Sequence, residues 1–319
     1  MESFETYLQT LAKEKYPKNL YEPVDYILVQ GGKRIRPRLV MLAVEIFNGN
    51  MEHAVYPAAA FEMLHNFTLI HDDIMDLAPL RRGKETIYKK WNNNIAILSG
   101  DALATMALQQ LMLTPCDEKT LLQMITIFAQ TSLEICEGQQ HDLDYETTEN
   151  VPIEAYIEMI RLKTAVMLAG CLKTGAILAQ AAEKEQVLLY DFGINIGIAF
   201  QLMDDLLDIY SNIQEFGKEN GGDIRANKKT HPYLLALQIG TEQQKQTLQH
   251  YFSSVDFDFN EKFTTIKSIF DQLDIKTKVE DEIKKYIDNA VVLVDVLSIS
   301  QSNKEKLYAL AQEFSNRVK

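Results

Sequence analysis

The sequence predicts an all-α fold, and three observations indicate it. Glycine and proline, which interrupt regular structure, number only 14 and 8 among 319 residues, well below their usual share of about 12%. Apolar residues recur at spacings of three and four along most of the chain, as on the buried face of a helix. No stretch alternates apolar and polar residues for long enough to indicate a strand. Because no linker-like segment interrupts this pattern, we expect ten or more helices in one domain over residues 1–319.

Individual helices can be placed from their apolar stripes and their first turns. The most regular stripe runs from Ile275 to Val294, and its spacing predicts one continuous helix. Two capping boxes predict helix starts, the pairs Thr241/Gln244 and Ser302/Glu305. Prolines suited to a first helical turn lie at Pro37, Pro152 and Pro232.

Charge and cysteine content exclude several classes of protein. The chain carries 32 Lys and Arg against 45 Asp and Glu, a formal net charge of −13, so we do not expect it to bind nucleic acid. Three widely spaced cysteines without a CxxC pair argue against a disulfide framework or a zinc site. With neither an apolar leader nor a fully apolar 18-residue window, we expect a cytoplasmic protein without stable membrane insertion.

Two short acidic motifs stand out within apolar helical runs. Residues 71–76 read HDDIMD and residues 203–208 read MDDLLD, so each contains the pattern DDxxD. On a helix, positions i, i+1 and i+4 bring three carboxylates to one face, where they repel each other unless a cation lies between them. Mg²⁺ prefers oxygen ligands and usually keeps several of its waters, so carboxylates that surround the ion only partly suit it. The carboxylates are Asp72, Asp73 and Asp76 in the first Asp trio and Asp204, Asp205 and Asp208 in the second.

The scarce cations cluster in four places in the sequence. Residues 31–38 read GGKRIRPR, and residues 81–84 read RRGK just after the first Asp trio. The pair Lys163 and Thr164 forms a further group, and the remaining cations lie in a long polar loop over residues 211–231. Together with the trios, they predict a site for two diphosphates, one bridged by metal and one held by Lys and Arg directly.

These segments resemble the trans-isoprenyl (polyprenyl) diphosphate synthase family. GGKRIRPRL is similar to its basic substrate motif, LIHDDIMD followed by RRG to its first aspartate-rich motif, and FQLMDDLLD to its second. GDALA, GQQHDLD, RLKTA and FGKENGGDIRANKKTHP also match in the family's order, over roughly residues 30–232. One departure is Asn227, which stands where many members have Gly before Lys228.

The resemblance implies a fold and a set of roles. The expected fold is a helical bundle of the isoprenoid synthase type around a deep central cavity, with the trios facing each other across its mouth. The six trio carboxylates would hold several Mg²⁺ ions, three when substrate is bound, on the allylic diphosphate. Residues expected to bind that diphosphate are Arg81, Lys163, Lys218 and Lys228. Those expected to hold isopentenyl diphosphate are Lys33, Arg36, His65 and Arg82. Thr164 and Gln201 would line the region where positive charge develops.

The implied reaction is a head-to-tail condensation of isopentenyl diphosphate with an allylic diphosphate, catalysed by a homodimer. It needs positioning and electrostatic stabilisation rather than a nucleophilic side chain. By the resemblance, Phe67 and Thr68 form part of the cavity floor that limits product length. One bulky aromatic favours geranylgeranyl diphosphate, with farnesyl diphosphate as the alternative. From the residues alone, Phe67 lies nearly opposite the Asp face of an ideal helix, so an ordinary core role stays open.

Three other interpretations are open. A class I terpene cyclase also carries DDxxD, but it typically has an Asn/Asp-Ser/Thr-Glu metal motif where this chain has Asp204 to Asp208. A non-catalytic partner subunit of a heteromeric synthase usually lacks one trio, whereas this chain has both. A generic acidic helical scaffold would leave the clustered cations unexplained.

Overall fold

A computed structural model describes residues 2–211, 221–253 and 257–315, and it confirms the predicted all-α fold. Within these residues, sixteen α-helices and one short π-helix are joined by brief connections. The chain divides into two compact units, the first over residues 1–132 and 170–186 and the second over residues 133–169 and 187–319. The expectation of a single domain over residues 1–319 therefore stays a prediction, and each unit is described by itself.

The N-terminal half of the chain supplies most of the first unit. Its helices are α1 (Glu2–Thr10), α2 (Lys18–Leu28), α3 (Ile35–Ile46), α4 (Val55–Met75), α5 (Ile87–Lys90), α6 (Asn93–Met112) and the beginning of α7 (Glu118–Thr147). Helix α4 packs against α3 and α6. Helix α4 is apolar on most of its faces because neighbouring helices cover it on several sides. Phe61 and Met63 on this helix are fully buried.

The second unit contains the rest of the chain, and α7, α9 and α10 contribute residues to both units. Its elements begin with α8 (Ile153–Ile160), a π-helix (Arg161–Ala165), α9 (Val166–Leu178), α10 (Glu183–Tyr210) and α11 (Gly222–Arg225). They continue with α12 (His231–Ile239), α13 (Glu242–Ser253), α14 (Phe259–Gln272), α15 (Ile275–Val296) and α16 (Gln301–Ser315).

Most of the local predictions are confirmed. The predicted stripe from Ile275 to Val294 is the buried face of α15. In the Thr241/Gln244 box, the Thr241 amide donates to Gln244 Oε1 at 3.0 Å. The Ser302/Glu305 box is wrong, because α16 begins at Gln301. Its first turn is held instead by Ser300, whose Oγ accepts from the Asn303 amide at 3.3 Å.

A short antiparallel hairpin interrupts the helices of the first unit. Strand β1 (Leu80–Arg81) pairs with β2 (Lys84–Glu85). Arg82 and Gly83 between them both have positive φ, 54° and 75°, which is the geometry of a tight two-residue hairpin turn. The sequence predicts only a loop here, because two-residue strands are too short to show alternation.

Two helices, α6 and α10, are long and apolar enough to cross a membrane by length and composition alone. In the most apolar 18-residue window of each helix, 39% of the window is buried in α6 and 56% in α10. The core helix of a globular protein meets the same two criteria. The expectation of no stable membrane insertion stays a prediction.

Candidate active site

In the first unit, the first Asp trio lies at the C-terminal end of α4. Asp72 is half-buried, Asp76 is the exposed C-cap, and Asp73 is 2% exposed. Arg81 binds Asp73 Oδ1 through Nε at 2.8 Å and through Nη2 at 2.7 Å. Burial raises the pKa of the Asp73 carboxyl, although Arg81 acts in the opposite direction. The trio is therefore asymmetric, with one inward carboxylate held by a cation that belongs to the predicted site.

The hairpin brings the two basic motifs of the first unit together. Arg82 donates through Nη1 to the carbonyl of Gly31. A Cβ at Gly32 would lie only 3.2 Å from the guanidinium carbon of Arg82, and the φ of Gly32 is +147°. Glycine at this position therefore leaves room for the arginine. The motifs GGKRIRPR and RRGK, separate in the sequence, form one cationic cluster.

His65 lies within reach of this cluster and is half-buried on α4. Burial, followed by the positive charges of Arg36 and Arg82, holds its pKa well below the usual range. The imidazole is therefore neutral at neutral pH. Arg36 is half-buried and Lys33 is exposed. The structure thus brings His65, Arg36 and Arg82, three of the four residues predicted to hold isopentenyl diphosphate, into one electrostatic neighbourhood.

Arg34, in the middle of the same motif, has a different surrounding. It is 5% exposed and donates to Glu62 at 2.6 Å, to Glu5 at 2.8 Å and to the Leu28 carbonyl at 2.8 Å. Its donors therefore stabilise the fold around the N-terminus of α3. This explains physically why the motif's four cations do not share one role.

The predicted floor residues lie one turn before the trio on α4. The Phe67 ring is half-buried and meets the His71 ring edge to face, with centroids 4.8 Å apart. Thr68 Oγ1 donates to the His65 carbonyl at 2.8 Å. Their role in product length stays a prediction.

In the second unit, the motif RLKTA forms the π-helix that links α8 to α9. A Cβ at Gly138 would collide with the Lys163 amide nitrogen and lie 2.8 Å from the Leu162 carbonyl carbon. Single π turns inside helices are frequent at functional sites, and this one carries Lys163 and Thr164. Lys163 Nζ binds Asp142 Oδ2 at 2.5 Å.

A chain of hydrogen bonds connects the π-helix to the second Asp trio. Thr164 Oγ1 donates to Gln201 Oε1 at 3.1 Å, and Gln201 Nε2 donates to Asp205 Oδ1 at 3.1 Å. Tyr156 donates to the other oxygen, Asp205 Oδ2, at 2.5 Å. Both ends of the Gln201 amide are therefore engaged, which fixes its orientation.

Asp205 is 2% exposed, and its environment differs from that of Asp204, which is half-buried. Burial and the negative charge of Asp223 raise the pKa of Asp205 to about 8, against the opposing effect of hydrogen bonds from Tyr156 and Gln201. The carboxyl is therefore largely protonated at neutral pH. Its predicted contact with metal stays a prediction.

Asp208 is occupied by main-chain donors. Its two carboxylate oxygens accept from the amides of Gly222 and Asp223, each at 3.0 Å, and its carbonyl accepts from Gly221 at 2.7 Å. Gly221 has a φ of +85° and lies so close to Phe263 that a Cβ would be 2.5 Å from the ring. Asp208 thus connects the end of α10 to the segment that follows residue 220.

A cavity of about 110 Å³ lies beside these residues within the second unit. Predicted site residues that line it are Lys163, Thr164, Gln201, Asp205 and Lys228. Tyr156, Asp142, Asp223 and Lys229 line it as well and were not predicted as site residues. Asp142 and Asp223 lie in the motifs GQQHDLD and GGDIRANKKTHP, which could have indicated them. Tyr156 carries no such signal, and Lys218 lies outside the described residues.

The donor set fits magnesium better than a metal held by protein ligands alone. Among the residues that the structure describes, no group of three or more His, Cys, Asp or Glu is arranged to hold an ion. Mg²⁺ usually keeps several waters and takes one or two carboxylates together with substrate phosphates. Within each unit taken by itself, one half-buried carboxylate of the trio meets that requirement, Asp72 in the first unit and Asp204 in the second.

Comparison with known proteins agrees with this geometry. The polyprenyl synthetase family model matches residues 17–270. A geranylgeranyl diphosphate synthase of Saccharolobus solfataricus is 35% identical over 301 residues, which cover 93% of this chain and 90% of the relative. One from Sulfolobus acidocaldarius is 38% identical over 229 residues, 71% of this chain and 69% of the relative.

Solved structures give the same answer for the fold. A crystal structure of a geranylgeranyl pyrophosphate synthase superposes with a TM-score of 0.94 at 41% identity, covering 100% of this chain and 98% of that one. The synthetase from Pyrococcus horikoshii gives 0.93 at 32% identity, covering 99% and 95%. The all-α fold of the isoprenoid synthase type and the resemblance stated from the motifs are both confirmed. The chain belongs to the polyprenyl synthetase family and is a short-chain prenyltransferase of isoprenoid biosynthesis.

Proposed function

We propose that this enzyme condenses isopentenyl diphosphate with an allylic diphosphate in the presence of Mg²⁺ and releases diphosphate. The observation that carries the proposal is the Arg82–Gly31 contact, which unites two basic motifs into a cationic cluster beside the carboxylates of the first Asp trio. Such a cluster suits a diphosphate that is bound directly by Lys and Arg. A terpene cyclase binds a single diphosphate and has no use for it.

The chemistry follows from the charges. Bound Mg²⁺ would supply Lewis-acid stabilisation of the leaving diphosphate, with Asp72, Asp73, Asp76 and Asp204 as its proposed ligands and Asp205 and Asp208 as further candidates. In this proposal, three Mg²⁺ ions are bound when substrate is present. Arg81, Lys163, Lys218 and Lys228 would bind the same diphosphate.

The allylic C–O bond breaks, and its electron pair leaves with the diphosphate. The double bond of isopentenyl diphosphate then supplies the pair for the new C–C bond, and a proton is lost from the resulting cation to the released diphosphate. Thr164 and Gln201 would place oxygen dipoles beside the developing positive charge, and the hydrogen bond between them keeps those dipoles oriented.

Geranylgeranyl diphosphate is the proposed product, with farnesyl diphosphate as the alternative. The half-buried Phe67 supports a short cavity. The similar proteins from Saccharolobus solfataricus and Sulfolobus acidocaldarius are both named geranylgeranyl diphosphate synthases. Phe67 and Thr68 would set the length of the cavity.

A cytoplasmic homodimer is the proposed form of the enzyme. Along α6, Leu98, Leu108 and Met112 project from one face and are 59%, 37% and 55% exposed, and Leu122 on α7 is 65% exposed. An apolar face of this kind on a soluble protein favours burial against a second copy.

The decisive experiment incubates the purified protein with isopentenyl diphosphate, Mg²⁺ and each allylic primer in turn, and measures the chain lengths of the products. We expect elongation to geranylgeranyl diphosphate and its loss on addition of a chelator. Consumption of allylic diphosphate without isopentenyl diphosphate would indicate a cyclase. No turnover by the protein alone, with activity restored by a second chain, would indicate a partner subunit.

A further inference from the structure

Lys228 lies between two residues that are each fixed to a different helix. It belongs to the connection between α11 and α12 and lines the cavity that also contains Lys163. Its amide donates to the Asp223 carbonyl at 2.9 Å. Ordering a loop on binding costs free energy, so a backbone that is already fixed lowers the cost of using this lysine.

On the C-terminal side, Lys229 is anchored to the end of α7. Its ammonium donates to the carbonyls of Tyr145 at 3.0 Å and Glu146 at 3.1 Å, and to that of Thr148. Carbonyls at a helix C-terminus have no partners within the helix and carry partial negative charge, so a cation is favourable there. Both lysines line the cavity, and the ammonium of Lys229 is the one held by the end of α7.

On the N-terminal side, Asn227 has a φ of 57°, in the left-handed region. Glycine adopts this conformation without strain, and asparagine is among the few other residues that tolerate it. In this chain the side chain adds a contact, because Asn227 Oδ1 accepts from Nζ of Lys262.

Lys262 has an unusual environment for a lysine. It lies on α14, is 4% exposed, and its ammonium lies 5.2 Å from the centre of the Phe252 ring. Burial lowers its pKa. A buried ammonium is costly unless hydrogen bonds compensate it, so its bond to Asn227 has a clear energetic reason.

We infer that Asn227 and Lys262 are positioning residues that hold the backbone of Lys228 for binding the allylic diphosphate. The inference rests on the function proposed above, since it assigns no new reaction. Gly would permit the same backbone angle without enforcing it. Asn bonded to a buried lysine restricts the segment to one arrangement, and Lys229 restricts its other end.

The test compares steady-state constants for both substrates in Asn227→Gly, Lys262→Met and the double variant. We expect KM for the allylic diphosphate to rise roughly fivefold, the net effect of one typical hydrogen bond. KM for isopentenyl diphosphate stays unchanged, because the proposed contacts of that substrate belong to the other unit. The double variant should resemble either single one, since both remove the same contact.

Two controls keep the test specific. Asn227→Asp retains an acceptor for Lys262 and should restore the wild-type KM, whereas a purely structural defect would not be rescued selectively. Lys284→Met removes an exposed lysine that pairs with Asp288 and should change neither KM. If Lys262→Met does not fold, the Gly and Asp variants of Asn227 still decide the question.

An unchanged allylic KM in Asn227→Gly, or equal rises in both KM values, would overturn the inference. The wild-type protein in the same assay separates this failure from a failure of the proposed function. Turnover by the wild type with unchanged variants refutes only the positioning role. An absence of turnover by the wild type refutes the reaction itself.

Discussion

The two Asp trios have the same sequence pattern but different surroundings. In the first, the buried member Asp73 is bound by Arg81, a charged partner. In the second, the buried member Asp205 is bound by two neutral donors, and Asp208 accepts two main-chain amides. A repeated motif therefore does not imply a repeated division of labour, because neighbouring elements decide which carboxylates remain available to a metal.

The sharpest comparison removes one carboxylate from each trio. Asp72→Ala or Asp204→Ala should each lower kcat at least a hundredfold, because removing one such stabilising charge typically raises the barrier by ~3–4 kcal/mol. Turnover at saturating Mg²⁺ is the measurement. Near-normal turnover of either variant would contradict the assignment of that trio to the metal.

A second comparison uses one glycine from each unit. Gly32→Ala should displace Arg82, and Gly138→Ala should displace the backbone of Lys163. We expect about a tenfold rise in KM for isopentenyl diphosphate in the first and for the allylic diphosphate in the second, from the loss of one charge-assisted contact. Overpacking should also lower the free energy of unfolding by roughly 1–3 kcal/mol. A rise in KM for the same substrate in both variants would contradict the assignment of one substrate to each glycine's neighbourhood.

A third comparison measures how the stability of the folded protein depends on pH, which requires no substrate. The pKa of Asp205 is about 8 in the folded protein and near 3.9 in an unfolded chain, so the folded state retains a proton that unfolding releases. Stability from this group is therefore full below about pH 4 and is lost as the pH rises toward 8.

Thermal unfolding at several pH values in chelator-containing buffer measures this effect. Asp205→Asn should be less sensitive to pH than the wild type between pH 4 and 8. Asp76→Asn, which changes an exposed carboxyl of the first trio, is the control and should follow the wild type. Parallel curves for all three proteins would contradict the raised pKa of Asp205.

The smallest effect on rate is expected at Phe67. Phe67→Ala should keep turnover within a few-fold of the wild type while shifting the products to longer chains, because it enlarges the proposed floor. Chromatography of the products after dephosphorylation measures the shift. An unchanged product distribution would leave Phe67 as an ordinary core residue.

The helices and the chemical motifs could be predicted from the sequence, because both depend on local spacing. GGKRIRPR could be grouped with RRGK as substrate cations, and the hairpin turn at Arg82 and Gly83 explains how they meet. The family resemblance assigns no substrate role to Arg34, but residue spacing alone gives no physical reason to set Arg34 apart from its neighbours, or Asp205 apart from Asp204. Those distinctions arise from partners distant in the sequence, such as Glu5 for Arg34 and Tyr156 for Asp205. The π-helix at RLKTA also left no periodic signal, since it spans only five residues.

The acceptor for Arg82 is a main-chain carbonyl, that of Gly31, and this affects how the site can evolve. No substitution at residue 31 deletes a carbonyl oxygen, but Gly31 and Gly32 have φ values of +71° and +147°, so a larger residue at either position would strain the backbone that presents it. The Arg81–Asp73 pair depends on two side chains, and a change at either one breaks it. Both contacts are therefore sensitive to substitution, the ion pair through its two side chains and the cationic cluster through Arg82 and the backbone of the two glycines.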